Sequence, residues 1–352
     1  MTTITTELPS VTKPRTKPTW TKTVARYTNP SVRISVWQIA SSFVPFITIW
    51  VLMYLSLSYS YWITLALSPI AGAFLMRVFI IQHDCGHTSF FKSRKANDLV
   101  GFVCGVLTFT PYEYWRTGHA MHHATSGDLD FRGFGDVQTQ TVKEYLAYNK
   151  WQRLGYRIYR NPFMMFGPGP LYMFLINQRA PFAMKSATTK KSRRGLIYTD
   201  LALLGLIIGL SLLIGFKNYL LVELPIAYFA GSIGIALFYV QHQYDDAYWR
   251  YHPEWDFTAA ALQGSSYLKM PRIFQWFTGN IGLHHIHHLS PRIPNYLLEK
   301  CHNDNPEFQN VPIFTMSTAA KILASQLALW DEDQQKLISF KQAHELYLKP
   351  QA

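Results

Sequence analysis

Charge disappears from this sequence in long blocks. Between Arg33 and Arg77 lie 43 residues without Asp, Glu, Lys or Arg, roughly 65 Å of helix at about 1.5 Å per residue. Such a run crosses a hydrocarbon core of about 30 Å twice. Ser58-Tyr59-Ser60-Tyr61-Trp62 supplies a turn with interfacial aromatics midway. One long helix in water would expose far too much apolar surface, so the pattern predicts a membrane hairpin. A second hairpin is predicted from residues 201–216 and 224–244, uncharged over 16 and 21 positions, with only Lys217 and Glu223 charged between them.

Two further runs do not reach a full span. Residues 99–112 are uncharged for 14 positions, which predicts a re-entrant or buried segment leading to Trp115. Residues 161–178 are uncharged for 18, but Pro162, Pro168 and Pro170 with Gly167 and Gly169 interrupt them. An interfacial segment is expected there rather than a spanning helix. The fold class that follows is an all-α integral membrane protein with four transmembrane helices in two hairpins and a cytosolic helical cap. The spans are expected at about 36–57, 62–82, 197–217 and 222–242, within a membrane domain of 34–345. The cap is expected over about 83–196 and 243–345, with 346–352 as a tail.

Composition sharpens this picture. Apolar residues make up 49% of the 352 and charged residues 15%, well below the roughly 25% of soluble proteins. The net charge of +12 raises nucleic acid as a partner, but the basic residues flank apolar runs instead of forming one stripe. Residues 1–33 carry six Lys/Arg against one acid, with prolines at 9, 14 and 18, and read as a flexible cytosolic lead-in. A second basic block, Arg179 to Arg194, holds six more and no acid. The two tight turns are nearly free of charge. By the positive-inside rule the termini and the cap then face the cytosol. Cys85, Cys104 and Cys301 give no disulfide framework.

Candidate chemistry lies in three histidine clusters: His83-Asp84-Cys85-Gly86-His87, His119-Ala120-Met121-His122-His123 and His284-His285-Ile286-His287-His288. They hold nine of thirteen histidines. Residues i, i+3 and i+4 of a helix share a face, so each cluster is expected to aim its imidazoles at one point. One HxxxH pair alone reads better as chance, a surface tract or a metal buffer, but low-complexity sequence does not keep HxxxH and then HxxHH twice. Imidazole favours transition metals. Eight such nitrogens exceed the about four to six positions of one ion, which implies two metals. His242, at the end of the last span, sits where His83 falls on the first hairpin; the residues alone leave it open as an interfacial polar group or a ligand.

HxxxH, HxxHH and HxxHH around two hairpins resemble the integral-membrane fatty acid desaturases. The stretch from Gly279-Asn280-Ile281-Gly282 through the third cluster to Ser290-Pro291-Arg292-Ile293-Pro294-Asn295-Tyr296 is similar to acyl-lipid desaturases of Bacillus-type bacteria. So are His83 to Phe91, Asn161-Pro162-Phe163 and Gly231-Ser232-Ile233-Gly234. The resemblance covers roughly residues 30 to 345. It implies two iron ions and O2, with His83, His87, His119, His122, His123, His242, His284, His287 and His288 as ligands and His285 outside the pattern. Acyl-CoA desaturases of the animal type space the first box with four residues and carry Asn four residues before the last-span histidine. Here the spacing is three and the position is Phe238, which favours the acyl-lipid branch over the acyl-CoA branch; the resemblance to the Bacillus-type enzymes implies a bacterial plasma membrane.

Breaking unactivated alkyl C–H bonds is beyond side-chain acids and bases and needs a metal–oxygen oxidant. Soluble di-iron proteins use paired Glu-x-x-His motifs; this chain has one match, Glu299 and His302, without a partner. Ligand histidines need acceptors for their second ring nitrogen, for which Asp84, Asp128, Asp130, Asp245 and Asp246 are candidates. Tyr112, Trp115 and Trp249 are candidates to line an acyl tunnel. No heme, dinucleotide or four-cysteine iron–sulfur pattern is visible, so an external donor such as ferredoxin or flavodoxin is implied, with the Arg179–Arg194 block as a landing surface. The same centre could instead hydroxylate alkanes or carotenoids. A metal transporter is the reading from another class, but it should carry ionisable residues inside its spans, and residues 34–76 and 224–244 carry no charge.

Overall fold

The computed structural model describes residues 19–133, 135–179 and 189–348. Among these described residues four helices are long and apolar enough to cross a membrane: Val32–Ser56, Tyr61–Gly86, Lys190–Ile214 and Phe216–His242, with mean hydropathy between 1.8 and 2.2. The chain is thus an integral membrane protein. The first three begin where the sequence offers a side-chain cap. Ser31 and Ser60 accept from Ile34 and Trp62, and Thr189 forms a capping box with Ser192. That box explains why the third helix starts seven residues earlier than hydropathy predicts, taking Lys190, Lys191, Arg193 and Arg194 into its first turns. The third and fourth helices are parted by Gly215 alone, whose φ of +84° no β-carbon would tolerate easily. The turn expected between these spans, at 218–221, is therefore helix. Glu223 lies inside the fourth helix, buried, and accepts from Trp50 Nε1 at 2.8 Å. Arg77 is likewise buried within the second, its guanidinium 3.8 Å above the Trp276 ring.

The second helix is the centre of the bundle. It packs against both the first and the fourth, while the third touches the fourth from the outside. Close approach depends on Gly72, where an added Cβ would stand 2.7 Å from Phe229 Cβ. Small residues serve this purpose in membrane helices because lipid offers no hydrophobic drive for association. Around this contact Phe46, Met53, Leu75, Val78, Ile81, Val222 and Ile226 form one buried cluster.

The segment expected to be re-entrant or buried is an amphipathic helix, Arg94–Leu107, lying on the second span; Gly101 and Gly105 admit Tyr112 against it. The next helix, Tyr112–Thr125, carries the second histidine cluster. The proline-rich stretch is broken into Pro162–Phe166 and Gly169–Leu175, and it packs on the fourth span at Gly231 and Tyr239. The basic block divides: residues 180–188 lie outside the described residues, Arg179 pairs with Asp200, and Lys191 with Glu113 at 2.6 Å.

Two expectations need correction. The cap is not purely helical. Gln140–Thr141 pairs parallel with Leu327–Asp331, which pairs antiparallel with Lys336–Ser339; Tyr267–Lys269 pairs parallel with Ile313–Thr315. Leu327–Asp331 is buried at every position, so its short apolar run satisfies its backbone in a ladder, where it is too short for a helix. The lead-in is not free over its whole length either. Prolines 9, 14 and 18 lie outside the described residues, but Trp20 and Val24 of the helix Trp20–Ala25 and Tyr27 just beyond it form one stripe. That stripe is fixed on the cap by Trp20 Nε1 to Thr258 (3.1 Å) and Tyr27 OH to Asp304 (2.9 Å). Of the expected tail, residues 346 and 347 end the helix Phe340–Tyr347, Leu348 caps it, and 349–352 lie outside the described residues.

The bundle geometry is testable at Gly72. Gly72→Leu should lower the unfolding midpoint in detergent, at a cost of about 1–3 kcal/mol for the overpacked contact. Gly205→Leu, where a Cβ meets nothing within 4 Å, should leave it unchanged. Equal midpoints for the two variants would contradict the close second-to-fourth contact.

Candidate metal centre

The three clusters and His242 meet at the cap-side ends of the second and fourth spans. His83 and His87 close the second helix, His242 closes the fourth, and the second cluster rides on Tyr112–Thr125. The third occupies a six-residue helix, His284–Leu289. It is launched by Gly279 and Asn280, both with positive φ, which fold the chain back onto the second span beside Ile80.

The rings do not converge on one point. They sort into two groups: His83, His87, His119, His123 and His287 in one, and His122, His242, His284 and His288 in the other, each with its donor atoms within 4.8 Å of one another. The sorting follows helix geometry. At about 100° per residue, i+4 lies about 40° to one side of i and i+3 about 60° to the other. His83/His87, His119/His123 and His284/His288 are i,i+4 pairs and stay together, while His122 and His287, the i+3 members, cross to the opposite group.

Distances within each group match a coordination shell. His284 Nε2 stands 2.9 Å from His242 Nε2 and 3.1 Å from His288 Nε2, which is 3.2 Å from His122 Nε2. His123 Nε2 stands 3.2 Å from His119 Nε2 and 3.0 Å from His287 Nε2. Two nitrogens at right angles around a metal at about 2.1 Å lie about 3.0 Å apart. His87 Nε2 is buried with no hydrogen-bond partner among the described residues. Burial, with neighbouring imidazoles second, holds His119, His123, His284, His287 and His288 well below the ordinary histidine range. They are neutral at neutral pH, the form that ligates metal. The donor set fits a pair of transition-metal ions.

Comparison with known proteins decides the family. The family model for fatty acid desaturases matches residues 60–316. A fatty acid desaturase of Bacillus subtilis (strain 168) is 47% identical over 91% of this chain and 90% of its own length. The sn-1 oleoyl-lipid 12-desaturase of Synechocystis is 28% identical over 72% of each chain. The sn-1 acyl-lipid omega-3 desaturase (ferredoxin) of Nostoc is 28% identical over 65% of this chain and 63% of its own length. The chain belongs to the fatty acid desaturase family. It is an oxidoreductase acting on fatty acyl chains, and the histidine groups are the part of the desaturase able to hold metal.

Around the rings, Asp84 Oδ1 lies 3.3 Å from His83 Nδ1. Its Oδ2 accepts from both the backbone N and Nδ2 of Asn295 at 2.8 Å, and Asn295 exchanges two further bonds with Gln38 of the first span, at 2.7 and 3.1 Å. His242 Nδ1 stands 3.0 Å from the Gly264 carbonyl. His122 Nδ1 bonds Asp136. The other candidate acids reach no ring of either group. Asp128 bonds His252 Nδ1 at 2.7 Å, Asp130 accepts from the His252 backbone, and Asp245 and Asp246 are exposed, the latter 3.8 Å from Lys336. Proximity in sequence fails here because the chain turns outward after His242. His285 turns its Nε2 to His302 at 3.1 Å, and burial drives its pKa down to about 3.

Among the aromatics, Trp115 stacks on His119 with centroids 4.5 Å apart and meets Phe79 edge-on. Trp249 shares a narrow cavity with Asp136, Phe238 and His242. Tyr112 is fully buried and donates to the Cys85 carbonyl at 2.8 Å, bracing the helix that bears the first cluster. Sequence reasoning missed Asp136, Asn295 and Gln38. Asp136 follows a glycine-rich loop with Gly133 and Gly135 at positive φ, a turn signal that says nothing about which ring the carboxylate meets.

Partners of this kind typically contribute about 10–100-fold to metal affinity. Asp136→Ala should weaken metal retention by that order in chelator competition followed by elemental analysis. Asp246→Ala should retain metal as the unaltered chain does. Identical retention curves would mean that Asp136 does not orient His122.

Proposed function

We propose that this desaturase is an O2-dependent acyl-lipid enzyme of a bacterial plasma membrane, inserting a cis double bond into a saturated or monounsaturated chain esterified in phospholipid. The observation that carries the reading is the pair of all-histidine groups at the cap-side ends of the spans. Held there, two irons would supply the oxidant that, with O2, two electrons and two protons, turns –CH2–CH2– into –CH=CH– and releases two waters. His83, His87, His119, His123 and His287 would hold one ion and His122, His242, His284 and His288 the other. Asp84 and Asp136 favour the tautomer with the proton on Nδ1 and Nε2 turned inward. Phe238 packs 5.0 Å from the His122 and His242 rings and keeps water from that side. Trp115 covers His119 in the same way.

Two relatives carry lipid-linked substrates in their names and one names ferredoxin. This supports a membrane-lipid substrate and a soluble carrier of ferredoxin or flavodoxin type, since no redox motif of its own is visible in the chain. The basic residues ahead of the first and third spans support two hairpins with both termini, the cap and the histidines in the cytosol.

Expression in a host without desaturases but with a compatible reductase system should yield new monounsaturated species, located by mass spectrometry of the fatty acids. Their absence would overturn the reading. Purified active protein should hold two irons per chain, and stoichiometric zinc in active protein would contradict it. His242→Ala, compared at equal membrane levels, should lose both desaturation and iron, while His344→Ala, on the exposed C-terminal helix, should keep both. Reporter fusions after Arg26 and at the C-terminus should read as cytosolic; an external C-terminus would separate the third cluster from the first two.

A further inference from the structure

The helix Lys150–Tyr159 turns its apolar face away from the protein. Trp151, Leu154 and Ile158 are spaced i, i+3 and i+7 on one face, and they are 71%, 47% and 47% exposed. The opposite face is fastened to the cap by polar groups. Tyr156 OH donates to the Ala328 carbonyl at 2.6 Å, and Arg160 donates to the Leu327 carbonyl and, at 2.7 Å, to Gln243. The stripe continues past Asn161 into Phe163, 77% exposed. That next segment is seated on the fourth span, where Phe166 meets Tyr239 and accepts from Ser232. The apolar face is thus continuous with the membrane-spanning surface. One flank of the helix is cationic, with Lys150, Arg153 and Arg157. Between that flank and the helix Phe340–Tyr347 opens a cavity of about 420 Å³, lined by Arg157, Arg160, Asn161, Lys341, His344 and Glu345.

We propose that Lys150–Tyr159 is an in-plane membrane helix, its Trp151–Leu154–Ile158 face sunk at the headgroup–acyl boundary and its basic flank taking anionic phospholipid headgroups. Apolar area and cations on one helix are the two features that hold such elements at an interface. The helix would then be clamped between the leaflet below and the cap above. Because Arg160 holds Gln243, the neighbour of His242, lipid contact braces the end of the fourth span. The inference rests on the four long helices crossing a membrane and not on the chemistry of the histidine groups.

The three cysteines are buried, so single cysteines introduced at Leu154, Ile158 or Gln152 can be labelled selectively with a fluorophore in the full chain. In nanodiscs of phosphatidylcholine with phosphatidylglycerol, labels at Leu154→Cys and Ile158→Cys should be quenched by lipids with a nitroxide near the headgroup and protected from aqueous iodide. Gln152→Cys should show the reverse. Arg157→Gln with Lys341→Gln should reduce the added quenching that phosphatidylglycerol gives over phosphatidylcholine alone. A label at Val44→Cys, on the 63% exposed face midway along the first span, read with lipids carrying the nitroxide deep on the acyl chain, reports whether that helix lies in lipid. Lipid quenching there with iodide access at Leu154 and Ile158 overturns the proposal. So does protection of those two sites from both quenchers, which would mean that protein, such as a second copy, covers the face. No lipid quenching at Val44 would instead overturn the membrane reading beneath it.

Discussion

Nine imidazoles meeting in two groups are the constraint on which this structure depends. A buried polar ring without a partner costs free energy, and nitrogens 2.9–3.2 Å apart cannot all be satisfied by one another. Each neutral ring carries one proton, and where three or more acceptors face a common point some must lack a donor. Ligation removes the conflict by giving every inward lone pair the same partner. The arrangement therefore makes physical sense as a metal site and poor sense as a hydrogen-bonded core.

Convergence of that kind needs a rigid frame, because the rings come from four separate helices. The second span supplies it. Gly72 sets its distance to the fourth span, which ends in His242, and Tyr112 ties its last turn to the helix of the second cluster. The third cluster is fixed twice, once where Gly279 folds beneath Ile80 and again where Asn295 joins Asp84 to Gln38. Arg77 adds a third attachment through Trp276. Every one of these contacts is buried polar or close-packed backbone, the classes in which a small displacement is most costly.

How far the sequence could be read follows from the range of the forces involved. Lipid imposes its period on a whole span, so the four long helices were visible as uncharged runs, and the clusters were visible because helical spacing is local. Their division into two groups was implicit in the same spacing, since i+3 and i+4 diverge around the axis, yet a reading that treats both as one face misses it. Trp20, Val24 and Tyr27 likewise show a helical stripe, hidden in a segment judged by its prolines. Asp136, Asn295 and Gln38 had no local signal. Each meets its partner only after the chain has closed, and Gln38 and Asn295 stand 257 residues apart. The short strands were hidden for a similar reason, because a parallel pair such as Gln140–Thr141 with Leu329–Trp330 joins distant segments.

The two carboxylates at the rings also answer an electrostatic problem. Soluble di-iron sites offset their cations with ligating glutamates, whereas an all-histidine set offers none. In the proposed di-iron state the site would carry its full positive charge beside a low-dielectric membrane, where uncompensated charge is costly. Asp84 and Asp136 lie one imidazole away from the two groups, the first through His83 and the second through His122. One acid per group lowers the local charge without occupying a coordination position. It also makes each bridging imidazole a stronger donor, since a ring that shares its Nδ1 proton with a carboxylate gains basicity at Nε2. Asp84 in turn is held by Asn295 through two N–H groups. Those bonds fix its carboxylate against the His83 ring and couple the charge balance of the site to the same network that fixes the third cluster in place.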